Sequence, residues 1–312
     1  MTSPRRQIGD SITVGGYKAG SLLAKLVPAP LAPLVSGGLA APAAVGMGER
    51  RRMVERHIRR AVPWASEARV RRMVLQSFET YTRYYIESFR LPSLTDEQVR
   101  RGMRLEGYDE HLLGALADGR GAILALPHLG GWEWAGRWLA DQGIAVTVVV
   151  EPIEPPELFE WFADLRRRFG MNVVPLGPDA AAAVGSALSR NEVVCLLSDR
   201  FISGSGVAVE FFGETTLLPA GPAMLSLRTG APLIPAAVYF EGRGSEHFGL
   251  VRPAVRHERS GARLREEVRG MTSKLAVELE KLIRRAPEQW HLFQPNWPSD
   301  PGYPHSLTEH GR

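Results

Sequence analysis

The chain has 312 residues, of which 44% are hydrophobic and 23% are charged, as in a globular protein that can bury a large core. Its single cysteine, Cys195, excludes intramolecular disulfides and cysteine-based zinc sites, and is typical of a reducing compartment. The net charge of +4 is uneven, because residues 1–60 carry a net +7 and the remainder carries a net −3. The basic end of the protein is therefore the N-terminal one.

An apolar stretch near the N-terminus, residues 21–46, is about as long as a membrane span. Pro28, Pro30 and Pro33 oppose one continuous helix, and the polar start of the chain argues against a secretory signal. An arginine-rich run follows at residues 49–60. We therefore predict broken amphipathic helices that lie on an anionic membrane surface. A true membrane span and a water-exposed helical subdomain are the two alternatives.

The remaining elements are predicted from their hydrophobic periodicity. The first hundred residues are helical, and from residue 121 onward short apolar segments alternate with helical ones. This alternation indicates βαβ crossovers and an α/β fold with a central, largely parallel sheet flanked by helices on both faces. Strands are predicted at 121–127, 145–151, 172–177, 192–198, 207–213, 232–241 and 247–255, and helices at 132–141, 156–169, 179–189, 221–229 and 262–285.

Composition suggests two regions that pack as one integrated unit. Residues 1–105 are predicted to be an N-terminal helical, membrane-contacting region, and residues 106–312 to be the α/β body. No Gly/Pro-rich or low-complexity linker separates them. The Gly-containing stretch at 241–244 is predicted to be a hairpin turn between two strands.

The motifs of several enzyme classes are absent from the sequence. The stretch ISGSG at 202–206 lacks the first glycine of a serine-hydrolase elbow, and no dinucleotide-binding, Walker or H-E-x-x-H pattern is present. The eight histidines show no ligand pair on one helix face. We therefore expect no metal, no cofactor and no nucleic-acid partner.

A histidine ends the first predicted strand of the alternating region, in LALPHLGGWEW at 124–134. Ligands of open α/β sheets bind at such carboxyl ends, so His128 is a candidate general base. Without side chains at Gly130 and Gly131, a substrate could approach the imidazole and meet backbone N–H groups. A carboxylate such as Glu133 could hold the ring. The alternative is structural, with His128 a hydrogen-bonded core residue and Glu133 a charge that suits the helix N-terminus.

The same stretch resembles the H-x-x-x-x-D/E block of the membrane acyltransferases related to the lipid A late acyltransferases. Residues 81–92 precede it, and residues 165–177, 193–236 and 287–297 extend the resemblance in the same order. This ordered set is most similar to the actinobacterial phosphatidylinositol mannoside acyltransferases and covers most of the chain. A lone H-x-x-x-x-E pattern is weak, whereas the ordered set is specific. The resemblance implies a glycerolipid acyltransferase-like fold.

The resemblance also implies a role for each matching residue. His128 would deprotonate a sugar hydroxyl, which attacks an acyl-CoA thioester directly, without a covalent acyl-enzyme. Glu133 occupies the acidic position of the block. Asp199 stands where the family carries glutamate, so either Glu133 or Asp199 could orient His128. Arg166 matches the arginine of the second block, which can pair with a carboxylate or a CoA phosphate. Its alternative is a solvated helix face.

Aromatic side chains crowd the helices after the first two strands of the alternating region. An acyl chain needs an apolar groove beside the thioester, and each buried methylene contributes about 0.8 kcal/mol. Ordinary core packing is the alternative. Trp132 is expected to bind substrate together with Arg166, Gly130 and Gly131. The aromatic residues are Trp132, Trp134, Trp138, Phe159, Trp161 and Phe162.

Together these features predict a peripheral enzyme on the cytoplasmic face of the cell membrane. It would transfer a long acyl chain, expected to be palmitoyl, from acyl-CoA to a mannose hydroxyl of a phosphatidylinositol mannoside. The expected partners are acyl-CoA, this glycolipid and an anionic membrane surface, and the expected oligomeric state is a monomer. Three alternatives are the same scaffold acting on another glycolipid, a non-catalytic lipid-binding protein, and a thioesterase with water as acceptor.

Overall fold

A computed structural model describes Gly15, Gly20 and Leu22 and residues 32–242, 244–258 and 261–304. Most of the predicted interfacial stretch that precedes residue 32 lies outside the described residues. The chain then enters a helical region that ends before the first strand. Its helices are α1 (Ala32–Gly46), α2 (Gly48–Ala61), α3 (Glu67–Arg90) and α4 (Asp96–Arg101).

The body is built on a seven-stranded sheet with the order β1-β9-β8-β2-β5-β3-β4. Neighbouring strands are parallel except for β8 and β9, which form an antiparallel hairpin. The prediction of a largely parallel sheet is confirmed. The strands are β1 (Met103–Glu106), β2 (Ala122–Leu126), β3 (Val146–Val150), β4 (Met171–Pro175), β5 (Val193–Leu197), β6 (Gly206–Phe211), β7 (Glu214–Pro219), β8 (Leu233–Glu241) and β9 (Glu246–Val251).

Helices cover both faces of this sheet, as the alternation predicted. In β2, Ile123 and Ala125 belong to one core, and Leu124 and Leu126 belong to the core on the opposite face. Successive side chains of a strand point to opposite faces, so a strand that is covered twice is apolar at every position. The helices of the body are α5 (Gly114–Ala117), α6 (Trp132–Asp141), α7 (Pro156–Arg168), α8 (Ala180–Ser189), α9 (Gly221–Thr229) and α10 (Leu264–Arg285).

Two strands were not predicted, and one predicted strand has an unexpected partner. β1 lies at the edge of the sheet, and its charged residues Arg104 and Glu106 conceal it in the sequence. The predicted strand at 207–213 is β6, which pairs with β7 in a separate antiparallel hairpin. β7 carries the polar start ETT, so hydrophobicity alone does not reveal it.

The N-terminal helices pack together before they meet the body. Ala40 and Ala44 of α1 share a buried cluster with Val74 and Phe78 of α3. Among the described residues, no helix combines the length and the apolar character needed to cross a membrane. The predicted domain boundary at residue 105 falls inside β1, which pairs with β9. The division into two regions itself stays a prediction.

Candidate active site

His128 lies just beyond the carboxyl end of β2, in a loop that the C-terminal part of the chain holds in place. The backbone N–H of His291 donates to the carbonyl oxygen of His128 at 2.7 Å. The N–H of Gly130 donates to the carbonyl oxygen of Gln289 at 3.0 Å, and Leu129 forms an isolated bridge with Trp290. The backbone of residues 128–130 is therefore held by residues 289–291.

The side-chain partner of His128 is Asp199. Leu126 of β2 lies opposite Leu197 of β5, so the residues two positions further along each strand meet at the same sheet edge. The Nδ1 atom of His128 is 2.7 Å from Oδ1 of Asp199, and the backbone N–H of His128 donates to Oδ2 at 3.0 Å. The Nε1–H of Trp290 donates to the same Oδ2 at 2.7 Å. One carboxylate thus holds both the ring and the main chain of His128.

The environment of Asp199 keeps this carboxylate ionised. Its side chain is fully buried, and burial by itself would raise its pKa. The adjacent His128 ring and the hydrogen bonds from His128 and Trp290 outweigh that effect and hold the pKa of Asp199 below its ordinary value. A carboxylate only accepts hydrogen bonds, so His128 Nδ1 must be the donor. In the neutral ring, Nε2 is then the acceptor that a general base requires.

The imidazole of His128 is accessible at its Nε2 atom. The side chain of His128 is 21% exposed, and Nε2 has no hydrogen bond to any residue of the described ranges. The ring of Trp132 stands edge-on to it, with 5.9 Å between the ring centroids. A hydroxyl group could therefore reach Nε2 beside an aromatic wall.

Glu133 makes a different set of contacts. Its carboxylate accepts hydrogen bonds from Tyr84 at 3.2 Å and from Nε of Arg166 at 3.2 Å, and a second nitrogen of Arg166 completes a buried ion pair. The structure therefore brings Glu133 and Arg166 together, and it is Asp199 that contacts the imidazole. Glu133 lies in the first turn of α6, and these contacts direct its side chain toward α3 and α7. Arg166 is thus paired with a carboxylate on the inner side of its helix.

Burial and charge act in opposite directions on Arg166. Burial by itself would lower its pKa, but the carboxylate of Glu133 outweighs that effect and keeps the pKa above its ordinary value. Burial, followed by the charge of Glu133, raises the pKa of Tyr84 well above its ordinary value. Tyr84 therefore stays a neutral hydrogen-bond donor to the Glu133–Arg166 pair.

The two glycines after His128 have a reason other than substrate approach. Gly130 has φ +62°, and a Cβ atom there would lie 1.9 Å from the carbonyl oxygen of Val238 in β8. A Cβ atom at Gly131 would lie 2.6 Å from the ring of His247. The Gly130 N–H is already bonded to Gln289, so it is not free to meet a substrate. Neighbouring protein atoms thus fill the space that side chains would need at both positions. A role of Gly130 and Gly131 in binding substrate stays a prediction.

His291 and Trp290 are site residues that the sequence interpretation did not single out. His291 is buried, its ring lies 5.9 Å from that of Trp132, and its Nε2 is 3.3 Å from the hydroxyl of Thr80. Burial, with a contribution from nearby His128, lowers the pKa of His291 to about 3, so its ring is neutral. Both residues fall in the resembling stretch 287–297, which was the available signal.

The predicted aromatic residues divide into core and partly open positions. Trp134 is a core residue, since it stacks on His247 and donates to the carbonyl oxygen of Val99 at 3.0 Å. Trp161 and Phe162 meet Phe89 of α3 in a separate apolar cluster. The other predicted positions are Phe159, which is buried, and Trp138, which packs edge-on against Tyr108.

An apolar strip adjoins the cluster of Phe89, Trp161 and Phe162. Cys195 and Leu197 of β5 and Val148 of β3 are only partly buried, although they belong to inner strands of the sheet. They lie on the face that also holds Phe162. Burial raises the pKa of Cys195 to about 12, so its thiol stays neutral and apolar in character. The strip ends two residues before Asp199.

In residues 32–242, 244–258 and 261–304, no group of three or more His, Cys, Asp or Glu side chains is arranged to hold a metal ion. The chemistry that these residues can perform is acid–base: a histidine with an open Nε2, a buried carboxylate behind it, and apolar surface on either side.

Comparison with known proteins identifies the family. The family model described as bacterial lipid A biosynthesis acyltransferase matches residues 8–299. A phosphatidylinositol mannoside acyltransferase of Mycolicibacterium smegmatis is 36% identical over 303 residues, which is 96% of this chain and 95% of that protein. A phosphatidylinositol mannoside acyltransferase of Mycobacterium tuberculosis is 40% identical over 233 residues, covering 73% of this chain and 71% of that protein. The chain therefore belongs to the bacterial lipid A biosynthesis acyltransferase family.

Proposed function

We propose that this acyltransferase moves a long acyl chain from acyl-CoA to a mannose hydroxyl of a phosphatidylinositol mannoside. The similarity over 96% of the chain to a protein with that acceptor in its name supports the choice of acceptor. The observation that carries the mechanism is the His128–Asp199 pair with an open Nε2. Acyl-CoA as donor and palmitoyl as its chain are the remaining parts of the proposal.

In the proposed reaction His128 acts first as base and then as acid. Nε2 takes the proton of the mannose hydroxyl while the oxygen attacks the thioester carbonyl carbon. The carbon–sulfur bond then breaks, and the imidazolium returns the proton to the leaving thiolate. The products are a sugar ester and CoA with a free thiol. Asp199 stabilises the imidazolium between these steps and does not itself become protonated.

We assign the Glu133–Arg166 pair to positioning. The pair joins α6 to α7 next to Trp132, whose ring lies 4.3 Å from Tyr84. Two charges that are buried together must be well bonded to be tolerated, and here Tyr84 supplies a further hydrogen bond. This arrangement holds Trp132 beside the imidazole, where it would cover the reacting groups.

We assign the acyl chain to the apolar strip formed by Val148, Cys195, Leu197 and Phe162. The strip is partly uncovered, and it lies at the end of the sheet that carries Asp199. At about 0.8 kcal/mol for each buried methylene, a long chain would obtain much of its affinity there. A protein that only bound lipid would need the strip but not the histidine–aspartate pair.

The surface of α1 supports a location on a membrane. Its sequence contains no charged residue, yet Leu34, Leu39 and Val45 are 70%, 51% and 82% exposed. The exposed Arg50, Arg51 and Arg52 follow at the start of α2. Apolar side chains flanked by arginines are typical of a helix that lies in an anionic interface. We place this face on the cytoplasmic leaflet, where acyl-CoA would be the donor.

The test is to offer the purified protein palmitoyl-CoA with a phosphatidylinositol mannoside and identify the product by mass spectrometry. We expect an acylated glycolipid and free CoA, and loss of both with His128→Ala. Acylation of another glycolipid in preference would contradict the proposed acceptor. CoA release that is unaffected by adding glycolipid would instead support a thioesterase. Binding without turnover in the wild type would favour a lipid-binding protein.

A further inference from the structure

A groove lined by several charged and polar residues lies outside the site described so far, along the first turns of α3. Its volume is about 440 Å³, which is within the range of small-molecule sites. Neither the guanidinium of Arg69 nor that of Arg72 has a hydrogen bond or a salt bridge to a residue of the described ranges. The lining residues are Ser66, Ala68, Arg69, Arg72, Met73, Gln76 and Glu288.

This groove leads to the active site along one face of α3. Residues three or four positions apart share a helix face, so Arg69, Arg72 and Gln76 continue into Thr80 and Tyr84. The hydroxyl of Thr80 donates to the carbonyl oxygen of Glu288 at 2.8 Å and lies 3.3 Å from Nε2 of His291. With a rise of about 1.5 Å per residue, the arginines stand about 12 Å or more from Thr80. The arginines and the Thr80–His291 contact are thus separated by roughly the length of a short sugar chain.

The chemistry of the groove suits a phosphate followed by hydroxyl groups. Two unpaired guanidinium groups one turn apart can each donate two hydrogen bonds to a phosphate. The positive end of the α3 dipole lies at the same place, since Ser66 caps the helix there. Glu288 is nearer the active site than the arginines and can accept hydrogen bonds from sugar hydroxyls. Burial raises the pKa of Glu288, while the charge of Arg69 acts in the opposite direction, so the two side chains face the same space.

We propose that this groove binds the phosphodiester of the acceptor glycolipid, with Arg69 and Arg72 on the phosphate and Gln76 and Glu288 on the inositol. The inference rests on the proposed function, because that function supplies the acceptor. In such an acceptor, the inositol and mannose rings separate the phosphate from the reacting hydroxyl. These two rings would span the stretch of α3 between the arginines and Thr80, which contacts His291.

The donor also carries phosphates, so the groove has two possible sources of the same group. The exposed Trp64 favours the lipid source. It is 68% exposed in the loop just before Ser66, and tryptophan is the side chain that prefers the headgroup level of a membrane. A lipid phosphodiester lies at that level. The apolar strip assigned to the acyl chain instead includes Phe162, whose ring meets that of Phe89 near the opposite end of α3.

The experiment uses the water-soluble, deacylated headgroup of the acceptor, so that membrane binding does not affect the result. Initial rates are measured with Arg69→Ala, Arg72→Ala and the double variant, varying the headgroup and acyl-CoA separately. We expect the KM for the headgroup to rise about tenfold for each arginine, because a hydrogen bond to a charged group is lost. The kcat and the KM for acyl-CoA should not change.

Arg71→Ala is the matched control, since Arg71 is exposed on α3 but does not line the groove. It should leave all three parameters unchanged. A rise in the KM for acyl-CoA instead of the headgroup would overturn the assignment in favour of the donor. Unchanged values in the double variant would show that the groove binds neither substrate.

The two proposals fail in different ways. If the wild type gives no acylated product at all, the proposed function fails. Binding of glycerophosphoinositol, measured by calorimetry in the wild type and in the double variant, then decides the inference alone. Binding that weakens only when the arginines are removed would support the groove, and equal binding or no binding would overturn it.

Discussion

At the scale of single residues, the site depends on which carboxylate meets the imidazole. Asp199 contacts both the ring and the backbone N–H of His128, whereas Glu133 is occupied by Arg166 and Tyr84. One buried acid therefore sets the ring tautomer, and the other joins two helices. Both acids are buried, but only Asp199 acts on His128 through a hydrogen bond.

Replacing Asp199 with asparagine should nearly abolish turnover without removing a side chain. The amide nitrogen would donate to Nδ1, so the ring proton would move to Nε2, which could no longer accept from a hydroxyl. We expect kcat to fall by about 10³ to 10⁴ with little change in KM. Steady-state rates of CoA release in the presence of the acceptor measure this effect.

Glu192→Gln is the control for this variant, because Glu192 is another buried acid beside the same strand, at the opposite end from the site. It should keep full activity. An Asp199→Asn protein within tenfold of the wild-type kcat would contradict the tautomer argument.

The low pKa of folded Asp199 also gives stability that is present above about pH 4 and lost as the pH falls through that pKa. The unfolding free energies of the wild type and of Asp199→Asn, measured by urea titration, should therefore converge as the pH falls.

At the scale of elements, the catalytic loop is fixed by its contacts with other strands. Gly130 packs against β8, Gly131 packs against His247, and the segment around Trp290 pairs with the loop backbone. His247 lies 2.8 Å from the buried carboxylate of Glu87. Burial by itself would raise the pKa of Glu87, but His247 and Arg83 outweigh that effect and keep this pKa below its ordinary value. The loop therefore packs against a buried polar cluster of Arg83, Glu87 and His247.

Gly130→Ala should destabilise the protein strongly. The left-handed backbone costs an alanine about 1 to 2 kcal/mol, and the Cβ atom would also collide with the carbonyl oxygen of Val238, 1.9 Å away. We expect a loss of more than about 3 kcal/mol in unfolding free energy from urea titration.

Gly143→Ala separates the two causes. Gly143 has φ +78°, but a Cβ atom there would have no neighbour within 4 Å. This variant should lose only the backbone contribution of about 1 to 2 kcal/mol. Equal losses at the two positions would mean that the contact with β8 is not the reason for glycine at Gly130.

At the scale of the whole molecule, α1 presents an apolar surface next to arginines. The triple variant Leu34→Ser, Leu39→Ser and Val45→Ser should bind anionic vesicles much more weakly. Each large side chain that inserts into the interface is worth about a factor of ten in affinity. Sedimentation with vesicles that contain phosphatidylinositol measures the loss.

Val277→Ser is the control, since Val277 is 50% exposed on α10 and lies outside the proposed interface. Its vesicle affinity should equal that of the wild type. The wild-type affinity should also fall with added salt, because screening weakens the attraction between the arginines of α2 and anionic lipid. Vesicle binding that neither the triple variant nor salt reduces would contradict this orientation.

The elements of the body could be predicted closely because their signals are local. Alternating apolar runs and amphipathic periods placed β2 and α6 within a residue or so, and they placed His128 at a strand end. β1 and β7 were missed because polar residues within them hide the pattern, and only pairing with β9 and β6 makes them strands. Local hydrophobicity does not report the partner of a strand.

By itself the sequence determined the order of the body's elements apart from β1 and β7, the basic and apolar character of the N-terminal region, and the histidine at the carboxyl end of β2. Only the tertiary structure decided that Asp199, 71 residues away, reaches the imidazole. The physical reason is the strand order, which places β5 beside β2 through crossovers that no local pattern records. The same order makes Gly130 a contact of β8 and gives His128 an open Nε2 with an ionised acid behind it.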